Sequence, residues 1–84
     1  ANALNSLGYV LAEQGTRLAA ALSYCRRAVE RYPRNAAYLD SLGWVHFKLG
    51  NYKDARFYLR RALEQAPKNR EILAHLKAVM EAEG

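Results

Sequence analysis

The sequence predicts an all-α protein in which pairs of antiparallel helices stack as repeats to form an α-solenoid. The segment YCRRAVERYPRNA at residues 24–36 is followed 34 positions later by the similar segment YLRRALEQAPKNR. Self-similarity at a fixed period of this length is typical of stacked repeat proteins. Apolar residues recur at helical spacing, and no stretch alternates as a strand would. We therefore expect five helices and no sheet.

The first repeat is predicted to contain one helix near Asn2–Gln14 and a second near Leu18–Tyr32. Pro33 ends the second helix because proline has no backbone N–H to donate. Asn35 then offers its side-chain oxygen to the unpaired N–H groups at the start of the next helix. The first repeat therefore spans residues 1–35.

The second repeat begins with a helix that carries four residues at helical spacing, Leu39, Leu42, His46 and Leu49. The Gly50–Asn51 pair ends this helix because both residues tolerate left-handed backbone geometry. The next helix is expected over about Tyr52–Ala66 and is closed by Pro67. Asn69 can cap a fifth helix over about Arg70–Glu83. The second repeat thus covers residues 36–69, and the last helix lies within residues 70–84.

The repeated unit resembles the tetratricopeptide repeat, in which large and small residues occupy fixed positions in a helix pair. The second repeat matches this pattern with Leu39-x2-Leu42-Gly43-x2-His46, Ala55-x3-Leu59, Ala62 and Pro67. The first matches it with Leu4-x2-Leu7-Gly8-x2-Leu11, Ala21-x3-Cys25, Ala28 and Pro33, with one residue inserted between its helices. The resemblance covers the whole chain and implies a single domain that forms a short right-handed superhelix.

Small residues and departures from the family pattern refine this prediction. Four small residues are expected to let paired helices approach closely: Gly8, Ala21, Gly43 and Ala55. Lys77 replaces the glycine or alanine of the pattern, which favours a capping helix over a full third repeat. His46 and Cys25 occupy positions that are usually aromatic. We expect His46 to be an interior histidine and Cys25 to pack as a small apolar residue.

The resemblance implies that the first helix of each repeat lines a concave groove. The groove-lining positions are Asn2, Asn5, Tyr9, Ala12, Glu13, Ala37, Asp40, Trp44, Phe47, Lys48, Ala74, Ala78 and Glu81. Within this set the aromatic residues Tyr9, Trp44 and Phe47 are expected to bury apolar side chains of a peptide or a partner helix. Asn5, Asp40 and Lys48 are expected to set its polar specificity. The predicted function is therefore non-catalytic protein–protein interaction through these six residues.

Three alternatives remain open at this point. Trp44 and Phe47 can instead pack against the adjoining repeat, or the chain can associate with its own copies or stack on flanking repeats as a structural unit. Arg26-Arg27 and Arg60-Arg61 recur with the repeat, and such a cationic face can bind nucleic acid. The same arginines also suit a solvated helix face, so nucleic acid is the less favoured partner.

Other chemistry is not indicated by the sequence. The net charge of +5 permits an acidic partner without requiring one. A single cysteine excludes an internal disulfide, and two histidines on different helices do not predict a metal site. No glycine-rich phosphate loop or paired nucleophile and base is present, so we expect no enzyme activity, cofactor or small-molecule substrate.

The sequence also bears on the origin and location of the chain. No apolar run approaches the roughly 20 residues that span a bilayer, so no transmembrane segment is predicted. The chain begins at Ala1 without a methionine, which suggests an excerpt of a longer protein whose targeting signal could lie elsewhere. A cytoplasmic location is favoured, and similarity to bacterial tetratricopeptide proteins favours a bacterial source.

Overall fold

The computed structural model describes residues 17–84, and this part of the chain forms helices without any strand. The helices are α1 (Leu18–Arg31), α2 (Ala36–Lys48), α3 (Tyr52–Gln65) and α4 (Arg70–Glu83). For α1, α3 and α4, both ends fall within one residue of the predicted bounds. The all-α prediction is therefore confirmed over these residues.

The predicted first helix, Asn2–Gln14, lies outside the described residues. None of the four helices is both long enough and apolar enough to cross a membrane.

Two asparagines cap helices as predicted. The Tyr38 backbone N–H donates to Oδ1 of Asn35 at 3.1 Å, and the Ile72 N–H donates to Oδ1 of Asn69 at 3.0 Å. Each such cap stabilises its helix by about 1 kcal/mol relative to alanine. At the other end of α2, Gly50 adopts a φ of 83°, which an L-residue with a side chain rarely takes. Local sequence signals thus set the helix boundaries.

Helix α2 lies at the centre of the described structure and packs against α1, α3 and α4. Because it has neighbours on several sides, it buries residues around most of its circumference: Tyr38, Leu39, Asp40, Ser41, Leu42, Gly43 and Val45. Helices α1 and α3 each bury a narrower stripe, formed by Ala21, Cys25, Ala28 and Val29 in α1 and by Ala55, Leu59 and Ala62 in α3. The central position of α2 thus buries two of its polar residues, Asp40 and Ser41.

The predicted close approach of paired helices is present between α2 and α3. A Cβ atom added at Gly43 would lie 2.8 Å from Cγ of Leu59 and 3.1 Å from the carbonyl oxygen of Ala55. Ala21 and Ala55 are also fully buried. Glycine at position 43 is therefore required by the spacing of the helix axes rather than by backbone conformation.

The structure corrects one interior assignment and confirms another. His46 is only half-buried, because it lies in the last turn of α2 beside the exposed Gly50–Asn51 turn. Its Nδ1 lies 3.3 Å from Nδ2 of Asn51, and its ring stacks on Tyr58 with centroids 5.5 Å apart. Cys25 is fully buried, and its burial raises the pKa of the thiol to about 12. The thiol therefore stays protonated and packs as an apolar group.

Candidate partner-binding site

A buried hydrogen bond joins α2 to α4 within the region predicted to bind a partner. Nδ1 of His75 lies 2.7 Å from Oδ1 of Asp40, although the two residues are 35 positions apart. Their exposed fractions are only 9 % and 5 %. A carboxylate can only accept, so the imidazole donates from Nδ1. Low polarity around the pair strengthens this bond and penalises the loss of either partner.

Trp44 lies against this pair in a column of rings. Its ring stacks on that of His75 with centroids 4.0 Å apart, and on that of Phe47 at 4.8 Å. Phe47 in turn contacts the ring of Tyr52 at 5.7 Å. Nζ of Lys48 lies over the Trp44 ring, 5.1 Å from its centroid, in a cation–π contact. We call the rings of His75, Trp44, Phe47 and Tyr52 the aromatic column.

Four of the six predicted partner-binding residues lie together on α2, and their surroundings differ. Trp44 and Phe47 are half-buried, and Lys48 is exposed. Asp40 is nearly buried, with its carboxylate directed at His75. Asn5 and Tyr9 lie outside the described residues. The remaining groove-lining positions in the described part are exposed or half-buried: Ala37, Ala74, Ala78 and Glu81.

No role was predicted for His75 from the sequence, although the repeat contains a signal for it. Subtracting the period of 34 from 75 gives position 41, so His75 is the repeat equivalent of Ser41. Equivalent helices of stacked repeats are neighbours. A residue equivalent to Ser41 is therefore expected near position 40 of the preceding repeat, where Asp40 supplies an acceptor.

Asp40, Glu71 and His75 also bring three possible metal-ligand atoms within 4.8 Å of one another. Two ligand atoms bound to one tetrahedral zinc ion at about 2.0–2.1 Å lie about 3.3 Å apart. The 2.7 Å between His75 and Asp40 is shorter and is that of a hydrogen bond. Glu71 is exposed in the first turn of α4. The Asp40–His75 hydrogen bond thus accounts for the short distance between these two side chains.

Comparison with known proteins gives matches along the chain. A family model described as tetratricopeptide repeat matches residues 1–68. A TPR repeat-containing protein of Pseudomonas aeruginosa, PA4667, is 43% identical over 76 residues, which is 90% of this chain and 13% of that protein. The human and mouse cell division cycle protein 16 homologs are each 37% identical over 60 residues, or 71% of this chain and 10% of theirs.

The chain thus spans only about a tenth of the length of these relatives. One of them is bacterial, which agrees with the expected source. The matching family model covers most of the chain, and the described helices, caps and close α2–α3 approach follow the same repeat pattern. The chain therefore belongs to the tetratricopeptide repeat family.

Proposed function

We propose that this chain is a non-catalytic module that binds a peptide or helix of a protein partner on the surface formed by α2 and α4. The observation that supports this most is the half-buried Trp44–Phe47 pair, whose rings stack at 4.8 Å. Stacking on His75 fixes the Trp44 ring before any partner arrives. A fixed aromatic surface loses little conformational entropy on binding, which is why aromatic residues often dominate interface energies.

Within this proposal the six predicted residues have different roles. Trp44 and Phe47 bury an apolar side chain of the partner with their exposed parts. Tyr9 lies outside the described residues and is assigned the same role toward the partner. Lys48 and Asn5 select its polar groups. Asp40 acts indirectly: it is 5 % exposed and holds His75, on which the Trp44 ring rests. Membership of the repeat family supports protein binding but does not identify the partner.

The test is affinity capture from the source organism with wild type, Phe47→Ala and Lys48→Glu. Lys68→Glu is the matched control, because Lys68 is also exposed but lies in the turn between α3 and α4. A protein captured by wild type and Lys68→Glu, and lost with the other two variants, identifies the partner. Its binding segment, made as a peptide, should then change the fluorescence of Trp44, the only tryptophan in the chain. Equal capture by all variants would contradict the proposal.

Self-association or stacking on flanking repeats is the second candidate function, and a different surface supports it. Leu73 and Met80 are 45% and 52% exposed on α4. They are seven positions apart and therefore lie on one side of the helix. Light scattering over a concentration series tests this: a wild-type dimer that Leu73→Glu converts to monomer supports it. A monomer at every concentration contradicts self-association.

A further inference from the structure

Each repeat presents an equivalent shallow concavity on the outer face of its second helix, away from α2. On α3 the lining residues are Lys53, Arg56, Phe57, Arg60, Arg61 and Glu64. On α1 they are Ala19, Leu22, Ser23, Arg26, Arg27 and Glu30. Every member of the first set is 34 positions after its counterpart in the second. The two concavities can therefore be compared directly, because they occupy equivalent positions in the two repeats but differ in some of their side chains.

The α3 concavity differs from the α1 concavity chiefly by an exposed aromatic ring. Phe57 is 54% exposed, whereas its counterpart in the first repeat is Ser23. The guanidinium of Arg61 lies 5.6 Å from the centroid of the Phe57 ring. A solvated helix face accounts for arginines, but leaving a phenylalanine in water forfeits the free energy that its burial would release. This ring is therefore the feature that points to a partner.

The charges around Phe57 are not all equivalent. Nη1 of Arg56 contacts both carboxylate oxygens of Glu83, at 2.9 and 2.7 Å, so Arg56 is engaged in joining α3 to α4. Arg61 donates to the uncharged carbonyl oxygen of Pro33 at 3.3 Å. Setting Arg56 aside, Lys53, Arg60 and Arg61 contribute three positive charges against one negative charge from Glu64. The concavity therefore has a net positive charge around its aromatic ring.

The cationic surface continues into the loop after α1. Arg61 reaches Pro33, and the adjacent Tyr32 is 46% exposed, with the guanidinium of Arg31 5.9 Å from its ring centroid. A second exposed ring with an arginine over it thus lies next in the chain to the residue that Arg61 contacts. Aromatic and arginine side chains are the types most enriched among the residues that dominate protein–protein affinity.

We propose that the outer face of α3 binds an acidic segment of a protein partner. An apolar side chain of that segment packs on Phe57, and its carboxylates pair with Lys53, Arg60 and Arg61. Charge complementarity selects an anionic partner. A protein fits better than nucleic acid, because an apolar side chain can cover Phe57, whereas only one ring in the concavity is placed to stack a base. This surface is separate from the α2–α4 surface of the proposed function.

The test uses fluorescence anisotropy with a labelled peptide of glutamates and leucines in a glycine–serine background. Wild type should bind this peptide saturably, and the affinity should fall several-fold between about 50 and about 300 mM salt. The same peptide with glutamine in place of glutamate, and a labelled oligothymidine, should bind more weakly. Absence of saturable binding at low salt, equal binding of the glutamine peptide, or tighter binding of oligothymidine would each overturn the proposal.

Variants taken from the internal comparison locate the site. Phe57→Ser copies the first repeat and should weaken peptide binding about tenfold. Arg60→Gln should weaken it several-fold, whereas the matched charge control Arg26→Gln on α1 should change it less than about twofold. Equal losses in Arg60→Gln and Arg26→Gln would show nonspecific charge attraction and overturn the assignment. All three positions lie outside the core, and circular dichroism checks that each variant remains folded.

Discussion

The α2–α4 contact and the outer face of α3 contain the same kinds of side chain in different surroundings. In the first, Lys48 lies over Trp44, and the indole rests on a buried imidazole. In the second, Arg61 lies over Phe57, and that ring is more than half exposed. The difference arises because α2 is packed by three helices, whereas this side of α3 has no described helix against it.

An aromatic residue beside a cation therefore does not indicate by itself whether it stabilises the fold or binds a partner. Around Trp44 most of the ring contact is internal and contributes to the stability of the repeat stack. Around Phe57 the contact is mostly with solvent, and the ring contributes little until a partner covers it. Stability measurements should therefore separate the two regions more clearly than inspection of residue types does.

The largest effect is expected from breaking the hydrogen bond under Trp44. His75→Ala leaves the carboxylate of Asp40 buried without its donor, so the free energy of unfolding should fall by about 3 kcal/mol. Urea denaturation followed by circular dichroism measures this change. His46→Ala is the control, because His46 is half-buried, stacks on Tyr58 and has only an exposed 3.3 Å contact with Asn51 in place of a buried hydrogen bond. Equal losses for the two histidines would contradict the assigned difference.

Truncating the two aromatic residues tests the comparison directly. Trp44→Ala should lower the free energy of unfolding by about 2 kcal/mol, because it removes half-buried area and two ring contacts. Phe57→Ala should change it by less than about 0.5 kcal/mol, because the side chain is 54% exposed. Both values come from urea denaturation. A larger loss for Phe57→Ala would mean that the outer face of α3 is structural.

A methyl group added at Gly43 tests how closely α2 must pack. The new Cβ would lie 3.1 Å from the backbone oxygen of Ala55, which cannot move as a side chain can. Overpacking should outweigh the gain in helix propensity and leave a net loss of about 1–2 kcal/mol in thermal or urea unfolding. Lys77→Ala, at an exposed helical position, should stay within about 0.5 kcal/mol of wild type. Equal changes in the free energy of unfolding for Gly43→Ala and Lys77→Ala would show that α2 and α3 can move apart without loss of stability.

The smallest effect concerns pH and His46. Burial lowers the pKa of the His46 imidazole, Arg26 lowers it further, and Asp54 partly opposes both. The unfolded chain then binds the proton at a higher pH than the folded chain, so stability should fall as pH drops below about 6.5. His46→Gln should show a weaker decline than wild type in urea midpoints between about pH 7.5 and about pH 5. A steeper decline of stability in His46→Gln would show that folding raises the pKa of His46 instead of lowering it.

Local sequence determined most of the helical framework in the described part. Asn35, Gly50 and Asn69 act through hydrogen bonds or backbone preferences within a few residues, so their roles could be predicted from the chain alone. The 34-residue period likewise identified the repeat unit, and the resemblance to the tetratricopeptide pattern predicted that Gly43 allows a close approach of paired helices. These features depend on neighbours along the chain or on a regular stacking rule, which a single sequence contains.

The candidate site was predicted less completely, since a helical wheel gives the direction of a side chain but not what lies opposite it. The sequence placed four of the predicted residues on one helix, Asp40, Trp44, Phe47 and Lys48, but the contacts of Asp40 and Trp44 with α4 did not follow from it. Only the tertiary structure decided that Asp40 meets His75, and that Trp44 rests on that imidazole. Such contacts depend on the distance and rotation between two helices, which packing of the whole stack determines.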